Sequence, residues 1–348
     1  MESGNEAPLT PLNEIGEFGL IDKIKENAII NQEHTIKGIG DDAAVLDSKG
    51  LKTVITTDCL VEGIHFDLSY VPLKHLGYKS VVANISDLCA MNAKPSQILV
   101  TLAISSKFTL EAVDELYAGI FAACDAYQVD LVGGDTSSIP KGLVISITAI
   151  GHAEESNIVY RNGAQKNDII CVTGDLGSAY AGLQLLEREK RVFMENPAIQ
   201  PDISGFDYIL ERQLKPEARR DTVTLFEKLG IKPTSMIDVS DGLASEITHI
   251  CKGSACGARI FDERIPVDPQ TSLFLEELKI NPSLAALNGG EDYELLFTLS
   301  PADYEKIKDE KEISFIGFIT DQDQGVKLET RDGIQHDLEA KGWNAFGN

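Results

Sequence analysis

Residues 98–137 read ILVTLAISSKFTLEAVDELYAGIFAACDAYQVDLVGGDTS and predict a strand, a helix and a second strand in direct succession. Ile98–Ile104 is an apolar run typical of a strand. Thr109–Tyr127 begins with a threonine N-cap and repeats apolar residues at spacings of three and four, which predicts an amphipathic helix. Its apolar face contains Leu110, Val113, Leu116, Tyr117, Ile120, Phe121 and Cys124. Val129–Val132 is the second strand, and two glycines follow it.

The same alternation of strands and helices extends to both sides of this stretch. We expect a strand over Thr53–Thr57 that ends at Asp58, and a helix over Leu73–Met91. A polar stretch, His152–Asn157, interrupts the pattern, and the alternation resumes after it. We therefore predict an α/β or α+β protein of two domains, which comprise residues 1–154 and residues 155–348.

The composition is strongly acidic. The 348 residues include 55 acidic and 31 basic side chains, which gives a formal net charge of −24. Nucleic acids and anionic membranes are therefore not expected as partners, because both require basic surface. No run approaches the ~20 apolar residues of a membrane span, and the polar stretch Met1–Leu12 does not resemble a signal peptide. We expect a cytoplasmic protein whose six cysteines are reduced, since none forms a C-x-x-C pair.

Aspartates recur beside glycine or a small hydroxyl residue. Six motifs have this character: Gly40-Asp41-Asp42, Thr56-Thr57-Asp58, Asn84-Ile85-Ser86-Asp87, Gly133-Gly134-Asp135-Thr136-Ser137, Asp238-Val239-Ser240-Asp241-Gly242 and Gly289-Gly290-Glu291-Asp292. Any one of them alone is ordinary turn chemistry or a helix cap. Six together indicate carboxylates that converge on cations, because carboxylate oxygens are the ligands that Mg²⁺ prefers and unpaired carboxylates repel one another.

Several familiar phosphate and metal motifs do not occur. The chain has no G-x-x-x-x-G-K-[ST] loop, no H-R-D or D-F-G, no G-x-G-x-x-G and no H-E-x-x-H. Asp321–Gly325 is faintly similar to a calcium loop but is better explained as a turn between strands. A nucleotide site would therefore depend on the acidic motifs.

The order of the motifs resembles the thiamine-monophosphate kinase family over nearly the whole chain. The matching stretches are Gly16–Ile21, Gly38–Ala43, Thr56–Phe66, Asn84–Leu88, Gly133–Ser137, Ser240–Leu243, Gly289–Phe297 and Lys341–Phe346. The resemblance implies the two-domain fold of aminoimidazole-ribonucleotide synthetase, in which the N-terminal domain pairs with its copy in a homodimer. It also implies ATP-dependent conversion of thiamine monophosphate to thiamine diphosphate, the last step in making that cofactor, with several Mg²⁺ ions.

The resemblance assigns roles to particular positions of this chain. The implied Mg²⁺ ligands are Asp42, Thr57, Asp58, Asp87, Asp135, Asp238 and Asp241. The implied ATP contacts are Tyr117, Gly134, Asp135, Arg161 and Ser240, and the implied substrate contacts are His65, Glu291 and Trp343. No general base is assigned, because the acceptor phosphate has a second pKa of ~6 and is already deprotonated at neutral pH. The reaction would be a direct in-line transfer.

Simpler interpretations of some of these residues stay open. Tyr117 lies on the apolar face of its helix and would serve equally well as a core residue. His65 and Arg161 are also consistent with ordinary surface positions, and Trp343 with an anchor for the C-terminal segment.

Two other classes of function also remain. One is another ATP-dependent enzyme of the same superfamily, such as selenophosphate synthetase or a hydrogenase-maturation enzyme. The other is a non-catalytic protein that binds nucleotides or divalent cations.

Overall fold

The computed structural model describes residue 20, residues 23–37 and residues 45–340. The chain divides into two compact units. One contains the described residues up to Asn84 together with Pro95–His152, and the other contains Ile85–Lys94 and the described residues from Ala153 onward. The predicted domains, 1–154 and 155–348, stay a prediction. Two predicted site residues, Asp42 and Trp343, lie outside the described residues.

A four-stranded sheet and two long helices form most of the first unit. The strands are β1 (Thr35–Lys37), β2 (Val45–Leu46), β3 (Lys52–Val61), β4 (Lys94–Ser105), β5 (Asp130–Ile139) and β6 (Leu143–Ala153). The helices are α1 (Leu73–Ala90), whose residues from Ile85 onward belong to the second unit, and α2 (Leu110–Tyr127). The sheet has the order β3-β6-β4-β5, and β1 pairs with β2. Strands β4 and β5 are parallel, with Ile98 opposite Leu131. The predicted strand–helix–strand succession is thus confirmed.

Helix α2 begins and ends where its capping residues predict. The Thr109 side chain accepts a hydrogen bond from the amide of Ala112, and Gln128 ends the helix in the left-handed conformation with a φ of 53°. All of the predicted apolar face is buried except Phe121, which is half-buried. Burial of this face attaches the helix to the core of its unit.

Two strands are longer than the sequence predicts. The end of β3 at Asp58 was expected, but the strand continues to Val61. Strand β5 was expected to end before Gly133, but it continues through the Gly-Gly-Asp-Thr-Ser motif to Ile139. The extension of β5 follows from its pairing with β4, which persists as far as Ser105 opposite Ile139. Asp58 and Asp135 therefore lie within strands and not in turns.

The second unit surrounds a seven-stranded sheet of its described residues. Its strands are β7 (Ile169–Thr173), β8 (Ser235–Asp238), β9 (Gly257–Phe261), β10 (Leu295–Leu299), β11 (Ile313–Thr320), β12 (Val326–Glu329) and β13 (Gln335–Asp337), in the order β13-β12-β9-β11-β7-β10-β8. Its helices are α3 (Ser178–Glu195), α4 (Asp207–Leu214), α5 (Arg220–Leu229), α6 (Leu243–Ser254), α7 (Pro269–Glu277), α8 (Pro282–Asn288) and α9 (Pro301–Tyr304).

Most neighbouring strands of this sheet are antiparallel, and only β9 and β12 pair in parallel. The molecule is therefore a mixed α/β protein. A continuous apolar core lies between the sheet and helix α6, and it includes Ile170, Val172, Ile237, Ile247 and Leu296.

The remaining global features concern membranes and thiols. Within the described part of the chain, no helix has both the length and the apolar character needed to cross a membrane. All six cysteines are free; four are buried, Cys256 is half-buried and Cys59 is exposed.

Candidate functional site

Two of the acidic motifs lie side by side in the second unit. The amide of Glu291 donates to the carbonyl oxygen of Ser240 over 2.7 Å, and the amide of Tyr293 donates to that of Val239 over 2.9 Å. Gly290 has a φ of +71°, and a Cβ there would lie 2.4 Å from the carbonyl oxygen of Ser240. Only glycine permits this close approach. The fold therefore places Glu291 beside Ser240 and Asp241.

A third acidic motif reaches the same region through helix α1. The Ser86 hydroxyl donates to a carboxylate oxygen of Asp238 over 2.8 Å. Asp238 ends strand β8 and is only 4% exposed. Asp87 follows Ser86 directly and is half-buried. The second unit thus brings Asp87 and Asp238 into one neighbourhood.

Glu246 is a buried acid behind this loop. Its Oε1 accepts hydrogen bonds from the amides of Ser240 and Asp241, over 3.2 and 2.8 Å. Its Oε2 is buried and has no hydrogen-bond partner. Burial, together with the nearby charges of Asp241 and Asp238, raises the pKa of Glu246 to about 8. The local field is therefore rich in negative charge and short of cations.

Arg161 and His249 are basic residues that act on Asp241. Burial raises the pKa of Asp241, while His249 and Arg161 act in the opposite direction. Arg161 itself is exposed. Its segment is attached on both sides: the amide of Met236 donates to Tyr160, and the amide of Gly163 donates to the Ser254 hydroxyl. Hydrogen bonds on both sides thus fix the backbone of Arg161, whose guanidinium acts on Asp241.

In the first unit, Thr57 and Asp58 occupy consecutive positions of strand β3. Consecutive side chains of a strand point to opposite faces, so these two side chains cannot both ligate one ion. The Thr57 hydroxyl donates to the carbonyl oxygen of Ile147 over 3.0 Å, and the Asp58 amide donates to Asn84 over 3.1 Å. Asp58 is half-buried and Thr57 is exposed.

Gly134 and Asp135 lie on β5, at the opposite edge of the same sheet from β3. Three strand spacings separate the two edges, about 14 Å along the sheet. A Cβ at Gly134 would lie 1.8 Å from the carbonyl oxygen of Val100, so the glycine is required for the pairing of β5 with β4. Asp135 is exposed. Within this unit the structure does not bring Asp135 to Thr57 or Asp58.

His65 ends a tight bend after β3. Its Nδ1 accepts the amide N–H of Val61 over 3.1 Å, and its own amide donates back to Val61. In the tautomer that accepts this bond, the ring proton is on Nε2. The ring is exposed. This geometry suits contact with an anionic ligand.

Tyr117 is a buried side chain, 6% exposed, whose ring packs 5.9 Å from that of Phe121. Burial raises its pKa. It also lines a cavity of about 280 Å³, together with Leu20, Lys23, Ile24, Asn27, Val113, Asp114, Ala118 and Phe121. Lys23 and Asp114 form an ion pair of 2.5 Å at this cavity. Tyr117 is thus a core residue, and one face of its side chain lines a cavity.

No group of three His, Cys, Asp or Glu side chains is close enough to hold a metal ion among the residues that the structure describes. Asp41 and Asp42 are outside that part of the chain. What the structure does assemble, within the second unit, is the neighbourhood of Asp87, Arg161, Asp238, Ser240, Asp241 and Glu291.

A buried cluster of charges beside this neighbourhood was missed in the sequence. Glu294 has no exposed surface; it accepts from Arg219 Nε over 2.5 Å and pairs with Arg212 Nη1 at 2.9 Å. Asp292 is equally buried and accepts the amide of Gly177 over 2.8 Å, just before helix α3. The acids belong to the Gly-Gly-Glu-Asp-Tyr-Glu motif, but nothing in the sequence pattern pairs them with these arginines.

Comparison with known proteins identifies the family. Residues 40–153 match the family described as AIR synthase related protein, N-terminal domain. The thiamine-monophosphate kinase of Bacillus subtilis (strain 168) is 35% identical over 336 residues, which cover 95% of this chain and 99% of that protein. That of Aquifex aeolicus (strain VF5) is 34% identical, with 96% and 99% covered. The chain belongs to the thiamine-monophosphate kinase family. The prediction of a kinase, made from the motifs, is therefore confirmed.

Solved structures agree with membership of the thiamine-monophosphate kinase family. AaThiL complexed with AMPPCP and TMP is 32% identical, covers 99% of this chain and all of that one, and superposes with a TM-score of 0.74. The hydrogenase maturation protein HypE in complex with ATP superposes with a TM-score of 0.72 at 19% identity. This second likeness shows only that the fold is shared. The predicted fold class is confirmed.

Proposed function

We propose that this chain transfers the terminal phosphate of ATP to thiamine monophosphate, which yields thiamine diphosphate and ADP. The observation that carries the proposal is the full-length similarity to thiamine-monophosphate kinases. The related AaThiL, whose structure contains the ATP analogue AMPPCP and TMP, supports the choice of substrates. Three of the family motifs, those of Asp87, of Asp238 to Asp241 and of Glu291, lie in contact within the second unit.

Magnesium is the metal that these residues fit. In the second unit Asp87, Asp238 and Asp241 would hold it, and in the first unit Thr57, Asp58 and Asp135, together with Asp42. Two features support the fit: the donors are oxygen atoms, and the second oxygen of Glu246 is buried without a hydrogen-bond partner. Because Thr57 and Asp58 lie on the sheet edge opposite that of Asp135, several ions fit better than one.

Bound Mg²⁺ would supply charge neutralisation and alignment for two polyanions. The chain's own residues supply the rest. Arg161 and Ser240 would bind phosphate oxygens of ATP, with Ser240 fixed through its amide to Glu246. The N–H of His65 would bind an oxygen of the substrate phosphate. No residue needs to remove a proton, since the acceptor oxygen is already deprotonated at neutral pH.

The roles of Tyr117, Gly134 and the substrate residues complete the proposal. Tyr117 would contact ATP through the cavity that it lines, and Gly134 with Asp135 would approach the nucleotide from strand β5. Glu291 would bind thiamine monophosphate, and Trp343 is proposed to do the same.

A homodimer formed through the first unit is part of the proposal. Strand β3 is an edge of its sheet, and edge strands carry unpaired backbone groups that favour pairing with another chain. Ile55 on this strand is 63% exposed, which is unusual for a large aliphatic side chain in a strand. A second copy that covers β3 would bury it.

The test is turnover by the purified full chain with ATP, MgCl₂ and thiamine monophosphate, with thiamine diphosphate and ADP both quantified. Asp238→Asn should lower kcat/KM about 100-fold and raise the Mg²⁺ concentration that the enzyme needs, because it removes a proposed ligand charge. Asp321→Asn is the matched control, since the Asp321 side chain, in the turn before strand β12, pairs with exposed Lys166, and its activity should be unchanged.

Each contrary outcome has a distinct meaning. No thiamine diphosphate from the wild-type chain would refute the proposed function. Stoichiometric ATP binding without turnover would instead indicate a non-catalytic binding protein, and turnover with a different acceptor would indicate another enzyme of the superfamily. Equal activity of Asp238→Asn and the control would refute the metal assignment at Asp238.

A further inference from the structure

Glu291 lies in a loop whose backbone is held in unfavourable conformations. Its φ is 58°, and that of Tyr293 is 53°. Residues other than glycine adopt this left-handed region at a cost in free energy, so such conformations persist only where the surroundings enforce them. The position of the Glu291 carboxylate therefore depends on residues outside the loop.

Helix α4 supplies the groups that enforce it. Arg212 donates from Nη2 to the carbonyl oxygen of Asp292, within the loop, over 3.4 Å, and its Nη1 lies 2.9 Å from Glu294 Oε1. The next residue, Gln213, donates from Nε2 to Glu291 Oε2 over 3.1 Å. Gln213 is 5% exposed. Arg212 thus holds the end of the loop, and Gln213 holds the carboxylate of Glu291.

Helix α4 is itself held in place. It packs so closely on helix α3 that a Cβ at Gly182 would lie 2.1 Å from the carbonyl oxygen of Ile209 and 2.7 Å from the Cβ of Gln213. The Gln213 side chain therefore projects from a rigid backbone. Its amide offers Glu291 a donor without a positive charge, which leaves the carboxylate negative toward a ligand.

We propose that Gln213 is a positioning residue for substrate recognition: it selects the conformation in which Glu291 receives the cationic substrate, while Arg212 fixes the loop backbone. The inference rests on the proposed function, because it takes Glu291 as the residue that contacts thiamine monophosphate. A free glutamate side chain loses rotamer entropy when a ligand fixes it. The hydrogen bond from Gln213 restricts Glu291 before the substrate arrives, so substrate binding loses less of that entropy.

The test is steady-state kinetics of Gln213→Met, an uncharged substitution of similar length. The KM for thiamine monophosphate should rise about fivefold to tenfold, whereas the KM for ATP should change less than about twofold. In the Glu291→Ala background the same substitution should have no further effect, because contacts that act through one residue are not additive.

Two controls separate positioning from loss of stability. Ser235→Ala removes a buried hydrogen bond at the opposite end of strand β8, to Thr298, and should leave the ratio of the two KM values unchanged. Arg212→Lys keeps the buried positive charge but loses the two parallel donors of the guanidinium. It is the second variant in case Gln213→Met does not fold, and it is expected to raise the KM for thiamine monophosphate selectively.

The outcomes distinguish this inference from the function on which it rests. The inference alone is overturned when the wild-type enzyme is active but both variants, Gln213→Met and Arg212→Lys, have an unchanged KM for thiamine monophosphate. It is also overturned when both variants raise the KM for ATP and the KM for thiamine monophosphate equally. Full additivity with Glu291→Ala overturns it as well. A wild-type chain without turnover overturns the proposed function and this inference together.

Discussion

Replacement of Gly290 by alanine tests the contact between the two acidic loops. Gly290 has a φ of +71°, and an added Cβ would lie 2.4 Å from the carbonyl oxygen of Ser240 and 3.2 Å from the Cα of Asp241. Gly230, at the end of helix α5, has a similar φ of +60° but no heavy atom within 4 Å of an added Cβ. Alanine would therefore cause similar backbone strain at both positions, but only at Gly290 would its Cβ collide with a neighbouring loop.

The expected magnitudes follow from this difference. The left-handed conformation costs an alanine roughly 1–2 kcal/mol, and lower entropy of the unfolded chain returns about half of that. Gly230→Ala should therefore cost about 1 kcal/mol. Gly290→Ala must in addition displace one loop, at about 1–3 kcal/mol for overpacking, and weaken the Glu291–Ser240 hydrogen bond, at about 1 kcal/mol. We expect a total of about 3–5 kcal/mol.

The assay is urea denaturation of both variants and the wild type, with the free energy of unfolding obtained by linear extrapolation. Kinetics should also separate them: the KM for thiamine monophosphate should rise in Gly290→Ala and stay unchanged in Gly230→Ala. The result that would refute the reasoning is a Gly290→Ala variant within about 0.5 kcal/mol of Gly230→Ala. In that case the two loops would not be in contact as described.

Three further predictions concern charge, pH and assembly. Arg219→Met should lower the free energy of unfolding by about 3 kcal/mol in urea titrations, because it leaves fully buried Glu294 with one arginine fewer; a loss below 1 kcal/mol would contradict this pairing. Burial raises the pKa of Asp292 to about 7, so the folded state keeps a proton that the unfolded chain releases. Stability should therefore fall from about pH 4 to pH 7, and Asp292→Asn should flatten this part of the profile; an unchanged slope would exclude Asp292 as its source. Ile55→Glu should convert a dimer to a monomer in sedimentation velocity, and an unchanged mass would show that β3 is not the interface.

The parts of the fold that local sequence determines were predictable. Helix α2 followed from its N-cap and its apolar spacing, and strand β4 from the apolar run Ile98–Ile104. Helices α7 and α8 were missed, although Asp268 and Asn281 cap them and a proline follows each cap. That signal was present in the sequence. The continuation of β3 past Asp58 was not predictable in this way, because pairing with neighbouring strands decides where a strand ends.

The candidate site was likewise predictable only in part from the sequence. The family motifs identified Asp238, Ser240 and Glu291, and the structure places these residues together. The arginines that hold the Glu291 loop could not be found from sequence, since Arg219 and Glu294 are 75 positions apart and meet only after the sheet has formed. The separation of Asp135 from Thr57 likewise depends on strand order, which no motif specifies.

The buried cluster of Arg212, Arg219, Asp292 and Glu294 also has a consequence for how this sequence can vary. Loss of any one charge leaves an opposite charge buried without its partner, so single substitutions at these positions should be eliminated by selection. Glu294 pairs with both arginines, so joint exchange of Arg212, Arg219 and Glu294 for apolar side chains of similar volume should be tolerated far better. These three positions should therefore vary together, and a library randomised at all three should yield folded variants that no single-site library contains.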